Sequence, residues 1–566
     1  MKTVIRIVLA GSLVLGISAC QDMDVTNPNN PNRESVLRSP ADVQSLVSAT
    51  FRTFFSESEG DDVAIPMSTM ADEFSTAFFD FGSLELSQEP RAIFNARSPN
   101  SGHSAVFAAF YRIIAGVNTA FRAIDEDNLK VTEGGADVTP RLRAFGKFMQ
   151  GLAHGQVALS FDRGYVSSET LNFDDLTFEE TRALIRPYTE VRDTALAELR
   201  AALALAQANT FTLPSTVAEW IPGVQLSNVQ FARLINTYIA RFMAYTPRTE
   251  AERAAVNWQQ VITHIDAGIT TDFAPVATPG IMSSLYKNRT ARQRATTPSD
   301  FMRVDNMIIG PADESQAFIN WFNTPVASRL PFAIQTSDRR IQGVATRNRT
   351  TPTTWVGPVP ATCSSVPQPA GATRLTVSCG LYAGLHDEVA FFNAGRGLYL
   401  RSFYFYHRWG RGTSFESGPI PIITVTEMDL LKAEALIRLG RAAEAIPLIN
   451  KTRVANGGLP PVTIDGAPGT APNCVPRRIN GTCGNLWDAL KYEKRIETLG
   501  LSAGLAYYDG RGWGTLVPNT MIHFPMPVVD LELLGMEIYT HGGGLAGSAP
   551  ARVMDKCPQG VNVPRC

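Results

Sequence analysis

The sequence predicts an all-α protein of tetratricopeptide-like helix pairs, interrupted by one large insertion of irregular loops and short strands. Three observations predict it. Apolar residues recur at spacings of three and four through most of 41–269, and the same period returns after 420. Between 270 and 420 it gives way to Pro, Thr, Gly and aromatic residues in mixed order. The 566 residues, 44% of them hydrophobic, can bury a large core. Because 51 Lys and Arg stand against 53 Asp and Glu, no excess positive charge points to nucleic acid.

The first segment, 1–19, is expected to be a signal peptide. Lys2 and Arg6 precede an apolar run from Val4 to Ile17, shorter than the roughly 20 residues a bilayer span needs. Small residues then lead to a lone cysteine in Ile17-Ser18-Ala19-Cys20, which resembles the lipobox of bacterial lipoproteins. That resemblance implies acylation of Cys20 as the first mature residue. The stretch 20–40 follows as lipidated start and tether, its Asn and Pro residues unsuited to helix or sheet.

The body 41–269 opens at Ser39-Pro40-Ala41-Asp42, where Ser39 can cap a helix and Pro40 can occupy its first turn. Val43, Leu46, Val47 and Phe54 fall on one face. Further amphipathic helices are expected near 104–126, 139–162, 187–207, 227–245 and 252–268, separated by Gly, Pro or Asn clusters. The insertion 270–420 contains short alternating runs such as 397–406. The second body, 421–566, opens with 424–439 and 441–454, a tetratricopeptide-like hairpin broken at Gly440. A helix over 486–499 and a closing segment over 525–539 precede a Gly-rich tail.

Once Cys20 is assigned to lipid, six cysteines remain as close neighbours: Cys363 with Cys379, Cys474 with Cys483, and Cys557 with Cys566. Six cysteines allow 15 pairings, and short loops favour these three as disulfides. Zinc is the competing chemistry, and the paired C-x2-C spacing it favours is absent. The seven histidines are scattered without ligand spacing, so neither metal nor cofactor is expected. Two catalytic patterns lack their context. Gly500-Leu501-Ser502-Ala503-Gly504 matches G-x-S-x-G but follows the charged helix YEKRIETL instead of a strand. The stretch 542–547 matches G-x-G-x-x-G, yet Pro550 and the chain end stand where a helix should open. Glu427, Glu434, Arg453, Glu493, Arg495 and Glu497 could be taken for catalytic groups. Glu427 and Glu434 stand seven apart on one helical face, as ion pairs between stacked helices require, and no spacing implies two carboxyls facing across a cleft. No enzyme activity is expected.

The lipobox, NPNNPN, VFAAFYRIIAGVN, TEMDLLKAEALIRLGRAAEAIPLINKTRVANGGLP, YEKRIETLGLSAGLAYYDGRGWG and FPMPVVDLE occur in the order found in the SusD/RagB family. The sequence resembles these outer-membrane nutrient-binding lipoproteins over nearly its whole length. It departs from them at Thr424, where an Arg is frequent, at Phe107, where a Trp is usual, and after Glu497, where Glu-Gly-x-Arg is missing. The resemblance implies four tetratricopeptide-like helix pairs in a SusD-like superhelix, lipid-anchored at the cell surface. It implies capture of oligosaccharide for a SusC-like TonB-dependent transporter, or of peptide in the manner of the RagB branch.

A sugar ring needs flat apolar faces for its C–H side and polar side chains for its hydroxyls. Two sets answer that need where the family's ligand face is expected. One is Asp72, Phe78, Phe79, Phe81, Arg91 and Asn95; the other is Trp321, Tyr404, Tyr406 and Trp409, with Arg408 beside them. Phe carries no hydroxyl or indole donor, so the first set suits a peptide as well as a sugar. The competing role for every aromatic among them is packing in the core.

Overall fold

The computed structural model describes residues 39–76, 86, 91, 94–95, 102–171, 175–278, 302–343, 345–347, 355–356, 376–386, 402–409 and 418–541. Its helices are α1 Pro40–Ser48, α2 Thr50–Ser58, α3 Asp61–Met70, α4 His103–Glu126, α5 Thr139–Ser160, α6 Phe178–Ala183, α7 Tyr188–Ala208, α8 Asn228–Tyr245, α9 Glu250–Ala254 and α10 Trp258–Asp266. After them come α11 Asn306–Ile309, α12 Ala317–Asn323, α13 Val425–Arg438, α14 Ala442–Ala455, α15 Leu486–Glu497, α16 Leu505–Trp513 and α17 Val528–Leu533. The strands that concern the site are β1 Phe74–Thr76, β2 Val276–Ala277, β3 Met302–Val304, β4 Ala345–Arg347, β5 Trp355–Val356, β6 Thr376–Cys379, β7 Ala383–His386, β8 Tyr404–Tyr406 and β9 Gly418–Pro419.

Local chemistry starts and stops these helices where the pattern places them. The Ser39 side chain accepts from the Asp42 N–H and Pro40 fills the first turn of α1. The run of one face through Phe54 is broken at Ala49, so Val43 and Val47 are buried from α1 and Phe54 from α2, with Leu46 half-buried. The expected helix over 252–268 is two, because Asn257 caps α10 by accepting from the Gln260 N–H. Gly440, at φ +76°, ends α13 and turns the chain into α14.

The helices pack in sequence order. α4 lies on α5, α5 on α7, α7 on α8, and α8 on α10. Next, α10 lies on α13, α13 on α14, and both on α15. Each pair alone would leave an apolar face wet, and stacking covers it. Helix α5 sits at the middle of this stack and carries small residues at the crossings. A Cβ on Gly146 would lie 2.4 Å from the Phe121 ring, on Gly151 2.7 Å from Leu199, and on Gly155 2.1 Å from the Phe242 ring. Glycine is the side chain that lets α4, α7 and α8 approach α5 this closely.

The contact of α10 with α13 crosses the insertion, which enters and leaves through one neck. The Phe273 N–H donates to the Ile423 carbonyl at 2.8 Å, and β2 pairs antiparallel with β9. Within the insertion, an antiparallel sheet runs in the order β5-β4-β6-β7-β8, and β3 pairs with β1 from the first body. The region read as irregular therefore contains a sheet assembled from strands of two to four residues, too short for a period to show.

Cys474 and Cys483 form a disulfide. Cys379 is disulfide-bonded as well, while Cys363, Cys557, Cys566 and Cys20 lie outside the described residues.

Candidate ligand-binding face

Members of both candidate sets, Asp72 and Arg91 from one and Tyr406 and Trp409 from the other, meet at one junction although more than 300 positions separate them. Helix α3 ends at Met70, and the chain turns through Asp72, at φ +51°, into β1. The Asp72 carboxylate accepts from Arg91 Nη2 at 3.0 Å, and Arg91 also donates to the Met70 carbonyl and to Thr520 Oγ1. Next to them, Glu73 Oε1 accepts from the Gly500 N–H at 2.8 Å and Glu73 Oε2 from Ser68 Oγ. Strand β1 then lies along β3, and the Phe74 ring meets the Tyr406 ring of β8 at 5.8 Å, edge to face. Tyr406 Oη donates to the Leu499 carbonyl, which Trp409 Nε1 also reaches at 2.9 Å. The early loop, the insertion and the segment after α15 thus share one backbone point, Leu499–Gly500.

The electrostatics of this junction are those of enclosed charge. Burial first, and then Asp72, push the Asp305 carboxyl well above the usual carboxylate range, against the Met307 N–H, Arg91 and Arg329. One layer below, Arg340 is fully buried among three carboxylates. It donates to Asp338 at 2.6 Å, Glu493 at 2.6 Å and Glu497 at 3.0 Å. Glu497 also accepts from Tyr382, Arg408 and Asn456. Arg408 lies flat between two rings, 3.8 Å over Tyr382 and 4.4 Å from Trp409.

Each candidate therefore has a definite place. Asp72 and Arg91 are a buried ion pair. Phe78, Phe79 and Phe81 lie outside the described residues, and Asn95 contributes backbone to a short strand against Thr540. Tyr404 and Tyr406 are 0% and 1% exposed, with Tyr404 Oη accepting from the Ile334 N–H at 3.1 Å. Trp321 is 6% exposed, stacked on Phe318, with Arg329 4.5 Å above its ring. These three aromatics were expected to meet ligand and instead fill the core of the insertion, because sheet and helix bury both of their faces. Trp409 is half-buried beside half-buried Arg408. The contributions of Phe74, Tyr382 and Arg340 had no local signal in the sequence: Arg340 stands in a patternless stretch and its partners Glu493 and Glu497 lie 153 and 157 residues away.

The charged groups weighed as catalytic are closed off in the same manner. Burial disfavours ionisation of Glu434, yet Arg253, Arg438 and Lys494 around it hold its carboxyl far below the usual range. Glu493 is shared by Arg340 and Arg453, and Glu427 accepts from Tyr245 Oη and pairs with Arg241. Arg495 is half-buried and donates to Thr515. Ser502 of the G-x-S-x-G stretch sits between two left-handed glycines, Gly500 and Gly504, and donates to Glu59 Oε1 at 3.0 Å. It is a buried turn residue facing a carboxylate.

No family model matches the sequence, and no curated protein matches it. Solved structures do. A SusD superfamily protein from Bacteroides vulgatus ATCC 8482 superposes with a TM-score of 0.51 at 12% identity, over 90% of this chain and 100% of its own. A protein from the same strain, described as sugar-binding, superposes with a TM-score of 0.50 at 12% identity, also over 90% and 100%. At that identity the likeness is one of fold alone, and the chain carries the SusD-type fold.

Proposed function

We propose that this protein captures oligosaccharide at the outer surface of an outer membrane, as the lipid-anchored partner of a SusC-like TonB-dependent transporter. The observation that carries this reading is the SusD-type fold over nine-tenths of the chain, one similar structure being described as sugar-binding. The lipobox-like stretch ending at Cys20 supports the anchor. The ligand face lies over the Phe74–Tyr406 junction, where Trp409 is half-buried and Arg408, tied to Glu497, lies against its ring. The carboxylates weighed as catalytic, Glu427, Glu434, Glu493 and Glu497, are each paired with an arginine, which favours binding over hydrolysis. Peptide is the second ligand class, favoured by the donor-free Phe78, Phe79 and Phe81.

Affinity electrophoresis of the mature chain in gels holding one polysaccharide each tests the reading, with calorimetry against mixed peptides as the second arm. The expected result is retardation by a glycan with no product released, weakened by Trp409→Ala. Heat with peptide alone would move the assignment to peptide uptake, and turnover of glycan would end it. Cys20→Ser in the native host should abolish both the acyl mass increment and membrane association.

A further inference from the structure

Two arginines far apart in sequence line one partly open cavity of about 20 Å³, together with Thr520, Leu516, Val517 and Ile522. Arg248, just after α8, and Arg511, in α16, are each fully buried. The buried guanidiniums of Arg91 and Arg340 face carboxylates; these two face carbonyls. Arg248 donates to the carbonyls of Thr246, Ala158 and Phe161 and to His523 Nδ1. Arg511 donates to those of Leu159, Ile522 and Tyr245. Aromatic faces complete the surroundings, Tyr188 at 4.2 Å from Arg248 and Tyr508 at 4.9 Å from Arg511.

The charge does not balance. Most of those carbonyls belong to the C-terminal ends of α5 and α8, and a helix C-terminus supplies roughly half a negative charge. Two such ends offset about one of the two positive charges. The acid that Arg248 senses, Glu252, is exposed, and its Oε2 holds the Arg248 N–H and the Tyr188 hydroxyl. Burial first, and then Arg511, lower the Arg248 guanidinium to about 9, so it is still charged at neutral pH. About one buried positive charge is left over.

Donors are also left over. Arg511 Nε has no hydrogen-bond partner among the described residues. The Tyr507 hydroxyl oxygen accepts from this guanidinium and its own proton goes to the Met521 carbonyl, which leaves the Nε donor unused. Thr520 accepts from Arg91 and still has its hydroxyl hydrogen to give. A cavity of this volume exceeds the roughly 10–15 Å³ that one water-sized occupant needs.

From the shared cavity, the unmatched charge and the unused donors, we infer that Arg248, Arg511 and Thr520 hold a chloride-sized monovalent anion. Such an ion ties the ends of α5 and α8 to the 516–522 loop. It also lies one hydrogen bond from the candidate ligand face, through Thr520 to Arg91 and on to Asp72.

Bromide is the probe. Crystals of the mature chain grown in sodium bromide should show anomalous density within hydrogen-bond reach of both guanidiniums. In solution, melting temperature should rise with the logarithm of chloride concentration when chloride replaces gluconate at fixed ionic strength. Arg511→Gln should remove that dependence. Bromide density confined to the surface, or melting that is the same in chloride and gluconate, would overturn the assignment. Both wild-type measurements decide the matter even if the variant does not fold.

Discussion

Arg253 grips Glu434 with two parallel hydrogen bonds, Nε to Oε1 at 2.9 Å and Nη2 to Oε2 at 2.7 Å, although the residues are 181 apart. The pair is 0% exposed on both sides, and Asp509, Lys494 and Trp513 close around it. It fastens α9 to α13, the first body to the second, across the insertion. Glu434→Gln leaves Arg253 and Lys494 short of a counter-charge and should cost about 3–5 kcal/mol, read by denaturant unfolding. Adding Arg253→Met should recover part of that loss, since the two changes act on one interaction.

A second expectation concerns the crossings of α5. Gly155→Ala places a methyl 2.1 Å from the Phe242 ring and should cost about 1–3 kcal/mol. With Phe242→Leu the combined loss should fall below the sum of the two single losses, as measured by thermal melting.

Acid should destabilise the protein through its buried imidazoles. Burial lowers His154 to about 4, against the Gln150 carbonyl that favours the protonated ring, and lowers His103 to about 4 too. The unfolded chain, with histidine near 6.5, then binds protons that the folded chain refuses. Stability is full above pH 6.5 and falls as pH drops toward 4, by about 3 kcal/mol per histidine. His154→Leu should remove about half of that slope in urea midpoints taken from pH 8 to 4.

The two tryptophans first placed together on the ligand face should now behave differently. Trp321→Ala empties a buried site and should cost about 3–5 kcal/mol, lowering the melting temperature whatever the ligand. Trp409→Ala removes a half-buried ring and one bond to the Leu499 carbonyl, and its larger effect should fall on retention by glycan. Equal losses of stability in the two variants would remove Trp409 from the ligand face.

What the sequence made legible follows from range. Helix periods and caps are local, so α4, α5, α7, α8, α13 and α14 were expected within a residue or two of where they lie. The pairing of Cys474 with Cys483, nine apart, is nearly as local. Helix α16 has no readable period because Gly510, Gly512 and the aromatics around them hide it, and every one of its residues is buried. The burial of Tyr404 and Tyr406 was illegible for a different reason. An exposed platform and a packed core demand the same aromatic residues, and only the placement of Phe74, about 330 positions earlier, separates the two outcomes. Arg248 and Arg511 carry no sequence signal of a shared cavity for the same reason.

The neck at Phe273 and Ile423 has an implication for variation. Departure and return occur side by side, yet the segment between them is moored twice more, by the ladder of β3 with β1 and by Arg340 on Glu493 and Glu497 of α15. Drift in that segment is therefore unconstrained only away from these moorings, and a change at Arg340 or in β3 must be answered by a change in the trunk.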